Sequence, residues 1–203
     1  MKLNDIARMQ LQNNVAGWIN AQNRSQLKSL DSYVNSLNGK TLDLINTSKK
    51  LHLEGKDKNS NFIYPIGFDV HVNFLFIHHY DLSNVNFSWL TLCEDLDFNY
   101  CQIGNLLNHP EKFNISGLEC VSLNTHINDV DSIIGIFQTD LQLSFNFQDA
   151  FEDGDSLYIT RDGAGNMHIR KFKPYARNTV LAEPKNEFDL QDWLVSNNFE
   201  NLA

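Results

Sequence analysis

The sequence predicts an α+β fold, and three patterns lead to this prediction. Apolar residues recur at helical spacing near the N-terminus, the middle alternates apolar and polar residues, and the last third contains a glycine-rich turn followed by a short amphipathic segment. We therefore expect N-terminal helices, a central, mainly antiparallel sheet, and a C-terminal β-hairpin and short helix. The 203 residues are expected to form a single domain. Its parts would be a helical segment over 1–38, a β-rich body over 40–182 and a terminal helix over 187–196.

Two helices are expected in the N-terminal segment. The first covers residues 6–19. In the second, the apolar residues recur in steps of three and four and so share one face, and they are Leu27, Leu30, Val34 and Leu37. Asn38-Gly39 supplies a plausible C-terminal stop for this second helix.

Strands are expected wherever apolar and polar residues alternate with a period of two. The polar run 54–61 lies between alternating segments and predicts the exposed tip of a hairpin. The segment 62–77 is rich in β-branched and aromatic residues and predicts a central strand. Further strands are expected over 85–92, 98–103, 118–123 and 141–147.

The C-terminal third gives the clearest local signals. Two alternating segments, 156–160 and 167–172, flank Asp162-Gly163-Ala164-Gly165-Asn166, and glycine and asparagine tolerate the positive φ angles of a tight turn. A short strand over 179–182 and a helix over 187–195 follow, because Leu190, Trp193 and Leu194 share a helical face.

The charge balance limits the kinds of partner. The chain has 25 acidic and 16 basic residues, a formal net charge of -9, which disfavours nucleic acid and anionic membranes and suits a basic protein partner. The N-terminus lacks the pattern of a secretory signal, and the apolar stretches are far shorter than the roughly 20 residues that span a bilayer. We expect a soluble cytoplasmic protein that binds neither membrane nor nucleic acid.

Cysteines and glycines indicate neither a metal site nor a cofactor. Cys93, Cys101 and Cys120 form an odd set without a Cys-x-x-Cys pair, so a disulfide framework and a four-thiolate zinc site are both disfavoured. We expect them to be reduced and buried. No glycine-rich phosphate loop is present.

One pattern keeps an enzyme hypothesis open. His71-Val72-Asn73 and His126-Ile127-Asn128 are paired His-apolar-Asn units. Two-histidine phosphoesterases use paired histidine motifs on facing strands, with one imidazole as base and the other as acid. A histidine-based phosphoesterase is therefore the first alternative function, although no catalytic residue is assigned. A structural subunit of an assembly, with an exposed apolar patch, is the second.

The closing segments resemble a known family. Gly154-Asp155-Ser156-Leu157-Tyr158, Val180-Leu181-Ala182 and the helix from Phe188 to Leu194 resemble the closing part of the SUKH superfamily of bacterial immunity proteins, over roughly the last quarter of the chain. The resemblance implies an inhibitor that binds and neutralises a toxin.

The leading hypothesis is therefore a non-enzymatic binding protein, an immunity-type inhibitor of a bacterial toxin. Its surface would be acidic, since charge complementarity to a basic toxin raises the rate and specificity of association. The candidate binding residues form two acidic clusters, which are Glu94, Asp95 and Asp97, and Glu152, Asp153 and Asp155.

Overall fold

The computed structural model describes residues 5–22, 30–45, 50–173 and 178–203. The described residues form an α+β fold, as predicted, with two mixed sheets of four and eight strands. Helix α1 covers Asp5–Asn20, helix α2 covers Leu30–Val34 and helix α3 covers Glu187–Ser196. None of these helices is both long and apolar enough to cross a lipid bilayer.

The strands divide between the two sheets. The smaller sheet has the order β1-β2-β4-β6 and the larger has the order β12-β11-β10-β9-β8-β7-β5-β3. The strands are β1 Leu37–Asn38, β2 Thr41–Asp43, β3 Leu51–Glu54, β4 Asp69–His71, β5 Phe74–His78, β6 Leu90–Leu92, β7 Asp95–Asn99, β8 Cys120–His126, β9 Gln142–Gln148, β10 Ser156–Arg161, β11 Met167–Phe172 and β12 Thr179–Ala182.

The body of the protein is a parallel solenoid. Strands β3, β5, β7, β8 and β9 pair in parallel, and the register aligns one buried apolar residue of each strand with a residue 21 to 25 positions further along the chain: Leu51, Leu75, Leu96, Val121 and Leu143. Strands β4 and β6 of the smaller sheet are each followed, after two residues, by a strand of the larger sheet. Each of these coils thus supplies one short and one longer strand.

A sequence repeat underlies the coils. Two successive coils share the pattern apolar-x-x-apolar-x-apolar-x-x-apolar-x-apolar, and the second set of five apolar residues follows the first by 21 positions. All ten residues are at most 1% exposed: Val72, Leu75, Ile77, Tyr80 and Leu82, then Cys93, Leu96, Phe98, Cys101 and Ile103. This spacing is typical of solenoids whose repeats of roughly 20 to 29 residues each contain a strand and a helix or 3₁₀ turn. Stacking buries a core that no single coil could bury alone.

Helix α1 packs against the N-terminal part of the solenoid. Its buried face includes Val15 and Trp18. The indole Nε1 of Trp18 donates to the Ile63 carbonyl at 2.7 Å, and the indole ring lies edge-on to Phe68 at 5.5 Å. The helix therefore covers apolar surface that the flanking coils leave open.

The C-terminal part is antiparallel and confirms the predicted hairpin and helix. Strands β10 and β11 pair from Ser156–Phe172 to Arg161–Met167, around a turn in which the Asp162 carboxylate accepts two backbone N–H bonds at 2.9 Å. The Asn186 side chain caps α3 by accepting from two backbone N–H groups. Leu190 and Leu194 of α3 are fully buried.

Several local predictions need correction. The predicted mainly antiparallel sheet is wrong for most of the fold: antiparallel pairing is confined to β1–β2 and to β9 to β12, and the other neighbouring strands of both sheets are parallel. The run 54–61 is not a hairpin tip, since β3 pairs in parallel with β5. Leu37 does not belong to a helix but begins β1, which pairs with β2 around Gly39 at φ +63°. Leu27 lies outside the described residues.

The boundaries of the middle strands also differ from those predicted. The segment 62–77 contains β4 and most of β5, which belong to different sheets. The segment 98–103 contains only the last two residues of β7. The corner between β4 and β5 falls within a continuous apolar pattern, so periodicity alone does not reveal it.

Candidate functional site

One face of the eight-stranded sheet points away from the core, and we call it the polar face. On β5, β7, β8, β9 and the first part of β10, buried residues alternate with half-buried or exposed ones. The register aligns the outward residues into two rows across the sheet. One row contains His52, Phe76, Asp97, Ser122, Ser144, Thr160 and His168, and the other contains Glu54, His78, Asn99, Asn124, Asn146, Tyr158 and Arg170.

The centre of the polar face is a ladder of asparagine side chains. The Asn124 Nδ2 group donates to Asn99 Oδ1 at 3.2 Å, and the Asn146 Nδ2 group donates to Asn124 Oδ1 at 2.9 Å. Asn99 in turn donates to the Asp97 carboxylate. Gln148 donates to Asn124 Oδ1 at 2.9 Å. These bonds fix the amide orientations, so the face is preorganised before any partner arrives.

Two carboxylates lie beside the ladder on β7. Burial, together with the nearby charge of Asp95, raises the pKa of Asp97 to about 6, although the hydrogen bond from Asn99 opposes the rise. Burial and the charges of Glu94 and Glu119 also raise the pKa of Asp95. Within the described ranges, no lysine or arginine forms an ion pair with either carboxylate. Lys50, whose Nζ lies 5.1 Å from the centre of the Phe74 ring, opposes the rise at Asp95 through its charge, so the negative charge of the polar face is partly offset but not directly paired.

The β3–β5 end of the polar face is rich in histidine and aromatic rings. His52 stacks on Phe76 with ring centroids 4.6 Å apart and planes inclined by 9°. His79, which follows β5, stacks on Tyr100 at 5.7 Å and lies 3.5 Å from the Glu54 carboxylate through Nδ1. No group of three or more potential metal ligands is arranged to hold an ion among the residues that the structure describes.

The structure separates the two acidic clusters predicted from the sequence. Glu94, Asp95 and Asp97 lie before and along β7 and are half-buried, whereas the second cluster lies in the loop between β9 and β10. Because β7 and β9 run in the same direction, the first cluster lies at the amino end of the parallel strands and the second at their carboxyl end. They do not form one surface.

The second cluster is paired within the chain. Lys171 Nζ lies 2.6 Å from Asp153 and 3.4 Å from Asp155, and Lys173 lies 3.6 Å from Asp155. The hydrogen bond from Lys171 lowers the pKa of Asp153 and raises that of Lys171. Asp155 is only 4% exposed, whereas Glu152 is exposed. Of these three residues, Glu152 is the one whose carboxylate is not in an ion pair among the described residues.

The histidines of the phosphoesterase hypothesis are not brought together. His71 ends β4 in the smaller sheet, just before the amino end of β5, whereas His126 ends β8 in the larger sheet. His71 lies near the amino ends of the parallel strands and His126 at the carboxyl end of β8, so the length of this seven-residue strand alone separates them by roughly 20 Å. The Nδ1 atom of His126 lies 3.6 Å from the Asp149 carboxylate instead. The geometry does not provide a paired acid and base from these two residues.

The cysteines are free thiols in the described structure, and two of the three are buried. Burial raises the pKa of Cys93 and of Cys101 to about 12. The Cys101 thiol lies 3.4 Å from the carbonyl oxygens of Ile77 and Asn99, which is within hydrogen-bonding range for sulfur. Neither buried thiol is therefore available as a thiolate nucleophile near neutral pH.

Two cavities in the described structure lie beside the polar face. One of about 530 Å³ lies at the amino ends of β8 and β9, lined in part by Phe113 and Leu141. Another of about 440 Å³ lies near α3, lined in part by Phe151 and Trp193. The asparagine ladder lines neither of them.

The asparagines of the ladder were not among the predicted site residues. The signal that could have found them is their position one residue after a buried apolar residue near the middle of each strand: after Phe98, Leu123 and Phe145. Only the repeat, once recognised, shows that these positions are equivalent.

No protein-family model matches the chain, and neither a curated protein nor a solved structure is significantly similar to it. The class that the fold and the site define is a parallel solenoid with an exposed polar sheet face.

Proposed function

We propose that this chain is a non-enzymatic binding protein whose polar face binds a basic protein. The observation that carries the proposal is the asparagine ladder, in which Asn99, Asn124 and Asn146 are held by mutual hydrogen bonds on an open sheet face. Solenoids present extended surfaces to large partners in this way.

The size and composition of the face favour a protein partner over a small molecule. Eight strands at a spacing of about 4.8 Å span about 34 Å. This width suits a standard interface of about 800 Å² on each partner. Asparagine, histidine and serine predominate in the two rows, which also include Tyr158. Such side chains provide adaptable hydrogen bonds, and the tyrosine adds a large, rigid contact area.

The charge of the face favours a basic partner. Glu54, Asp95 and Asp97 lie on its outward side, whereas Arg170 is the cation of the two rows and Lys50 lies over the Phe74 and Phe76 rings. A partner cation next to Asp97 would stabilise the ionised carboxylate, which the fold itself disfavours. The net charge of -9 adds long-range attraction for the same kind of partner.

The particular role that we propose is immunity-type inhibition of a bacterial toxin. The resemblance of the closing segments to the SUKH superfamily supports this role, and so does the acidic charge, which suits a basic nuclease target. The phosphoesterase alternative has no comparable support, because His71 and His126 lie far apart in different sheets.

The test uses the purified protein and the toxin encoded beside its gene. Isothermal titration calorimetry compares the wild type, Asp97→Asn, Asp97→Lys and the matched charge reversal Asp192→Lys on the exposed side of α3. We expect Asp97→Lys to weaken binding by about 100-fold and Asp192→Lys by less than about threefold, since close interfacial charge pairs contribute several kcal/mol and remote ones mainly affect the association rate. Asp97→Asn keeps the acceptor for Asn99 and controls for folding.

The outcomes test the immunity-type role and the location of the binding site separately. If the protein neither binds the toxin nor protects cells from it, the immunity-type role is wrong. If it binds but the two charge reversals weaken binding equally, the polar face is not the binding site.

A further inference from the structure

A small cavity of about 230 Å³ lies between two successive coils, beyond the carboxyl ends of β3 and β5. An isolated parallel bridge between Asn61 and Asp81 joins the two coils there, and the Asp81 N–H donates to the Ser60 carbonyl at 2.9 Å. Two aromatic rings and one carboxylate line the cavity, those of Phe62, Tyr64 and Asp81. None of the residues in the two rows of the polar face lines it.

The two aromatic rings form adjoining walls of the cavity. The Phe62 and Tyr64 rings lie 5.2 Å apart with their planes inclined by 79°, so they meet nearly at a right angle. Phe62 stacks on Trp89 at 5.7 Å, and the Tyr64 hydroxyl accepts a hydrogen bond from the Asn86 N–H at 3.3 Å. Phe62 is half-buried and Tyr64 is still 43% exposed. The rings are therefore held in place without being fully covered.

The carboxylate of the cavity is oriented by its own turn. Asp81 Oδ1 accepts from the backbone N–H of Ser83 at 3.0 Å and from the Ser83 hydroxyl at 2.6 Å. Among the described residues, Asp81 takes part in no ion pair. Of the two lysines on the neighbouring loop, Lys58 pairs with Asp129 at 2.5 Å and Lys56 is exposed. The Asp81 charge is thus left for a ligand.

These features decide the class of ligand. Aromatic ring faces and a carboxylate both attract a cation, and the carboxylate disfavours an anion. A metal ion is disfavoured because no group of three or more potential metal ligands occurs in the described part of the chain. Two rings at a right angle suit a rounded group, whereas a flat ligand stacks on a single ring face. The volume lies below the range of about 300–1,000 Å³ typical of drug-sized ligands, so the cavity suits a small head group.

We propose that this cavity binds an organic cation through a methylated ammonium head group, with the methyl groups against Phe62 and Tyr64 and the positive charge beside Asp81. Quaternary ammonium groups are recognised in this way, because the negative ring faces attract a cation that water hydrates only weakly. The site is separate from the polar face and does not depend on the function proposed for it.

The test follows the amide signals of the ¹⁵N-labelled whole chain by NMR while choline is added at constant ionic strength. We expect saturable shifts confined to amides around the cavity, those of Ser83 and Asn84 among them, with a Kd of about 1 mM or lower. The matched control ligand is 3,3-dimethylbutan-1-ol, which has the shape of choline but no charge. It is expected to bind at least about tenfold more weakly.

Three variants locate the site. Tyr64→Ala removes one aromatic wall, and Asp81→Asn removes the charge while keeping an acceptor for Ser83. Each is expected to weaken choline binding by at least about fivefold. Tyr64→Phe keeps the ring and loses only the hydroxyl, so it is expected to change binding by less than about twofold. Circular dichroism of all three variants checks that they fold.

A second ligand identifies where the head group comes from. In the same titration, N-acetyl-trimethyllysine amide represents a methylated lysine of a protein. If it binds at least about tenfold more tightly than choline, the cavity recognises a modified lysine side chain. If choline binds as tightly or more tightly, the ligand is a free small cation. Either result supports the proposal.

Three results would overturn it. The first is the absence of saturable shifts with choline up to about 20 mM. The second is binding of the uncharged alcohol as tightly as choline. The third is wild-type affinity for choline in either Tyr64→Ala or Asp81→Asn, since the two rings and the carboxylate define the site together.

Discussion

Asn124 donates a side-chain hydrogen bond to Asn99 across two parallel strands, although the residues are 25 positions apart in the chain. The next coil repeats the contact, since Asn146 donates to Asn124. A one-residue slip of either strand would turn these amides into the core and expose apolar residues. The ladder thus links the register of the solenoid to the shape of the polar face, and both can be tested.

The ladder is expected to stabilise the fold. Asn124→Ala removes the partner of both Asn99 and Asn146, which are half-buried. We expect a loss of about 1–3 kcal/mol in the free energy of unfolding, measured by urea denaturation. Asn84→Ala, at an exposed loop position, is the matched control and is expected to lie within about 0.5 kcal/mol of the wild type. Equal stability of the two variants would contradict a structural role for the ladder.

Asp97 is expected to make stability depend on pH. Its pKa is raised to about 6 in the folded protein, so between about pH 4 and 6 the carboxyl group takes up a proton when the chain folds. The free energy of unfolding therefore falls as the pH rises from about 4 through 6. We expect Asp97→Asn to be more stable than the wild type at pH 7.5 by about 1 kcal/mol, a value reduced for partial solvation of the carboxyl group. At pH 4 the two should differ little. Urea denaturation at both pH values is the measurement.

The same titration should appear in binding. A basic partner requires the ionised form of Asp97, so affinity should rise as the pH increases from 5 to 7. We expect an increase of up to about tenfold, since one pKa unit corresponds to about 1.4 kcal/mol. Calorimetry in buffers of different ionisation enthalpy would detect the released proton. An identical pH profile for Asp97→Asn would show that another group is responsible.

Two glycines make a matched test of the coil packing. A Cβ atom on Gly55 would overlap the His79 carbonyl oxygen, whereas one on Gly17, in α1, has nothing within 4 Å. We expect Gly55→Ala to destabilise the protein by more than about 2 kcal/mol, because a backbone atom must move. Gly17→Ala should stabilise it by about 0.5–1 kcal/mol through helix propensity. Thermal denaturation of both variants measures the difference. Tolerance of alanine at 55 would contradict this close approach of the chains.

The thiols offer a chemical test of burial. Cys93 and Cys101 are fully buried and their pKa values are raised to about 12, so they should not react with Ellman's reagent in the native protein. The half-buried Cys120 is expected to react slowly, and all three should react after unfolding in guanidinium. Rapid reaction of Cys93 or Cys101 under native conditions would show that the core opens there.

The sequence predicted the parts of the fold that depend on neighbouring residues. The turn from Asp162 to Asn166 and the cap of α3 at Asn186 are local, and both the hairpin and the helix were predicted correctly. Parallel pairing was not predicted, because the alternation of buried residues such as Leu96 and Phe98 is the same for either direction of the neighbouring strand. The sequence feature that indicates parallel stacking is the 21-residue offset between β5 and β7.

The candidate site was predicted only in part. Asp95 and Asp97 stood out by their charge, and the structure places them on the polar face, although their role in binding stays a prediction. Asp153 and Asp155 stood out in the same way, but Lys171 pairs with both from a different strand. The sequence alone could not show that pairing, since it depends on how the loop after β9 meets β11.

The 21-residue offset between β5 and β7 also affects how such a protein can change in size. A solenoid, unlike a closed barrel, has no fixed number of coils, because each coil contacts mainly its neighbours. Duplicating residues 73–93 would insert one coil, widen the larger sheet by about 4.8 Å and leave both ends of the chain as they are. A protein built in this way can lengthen its recognition surface one strand at a time, and the added copy of β5 would repeat the outward residues Phe74, Phe76 and His78 or replace them with side chains that suit a new partner.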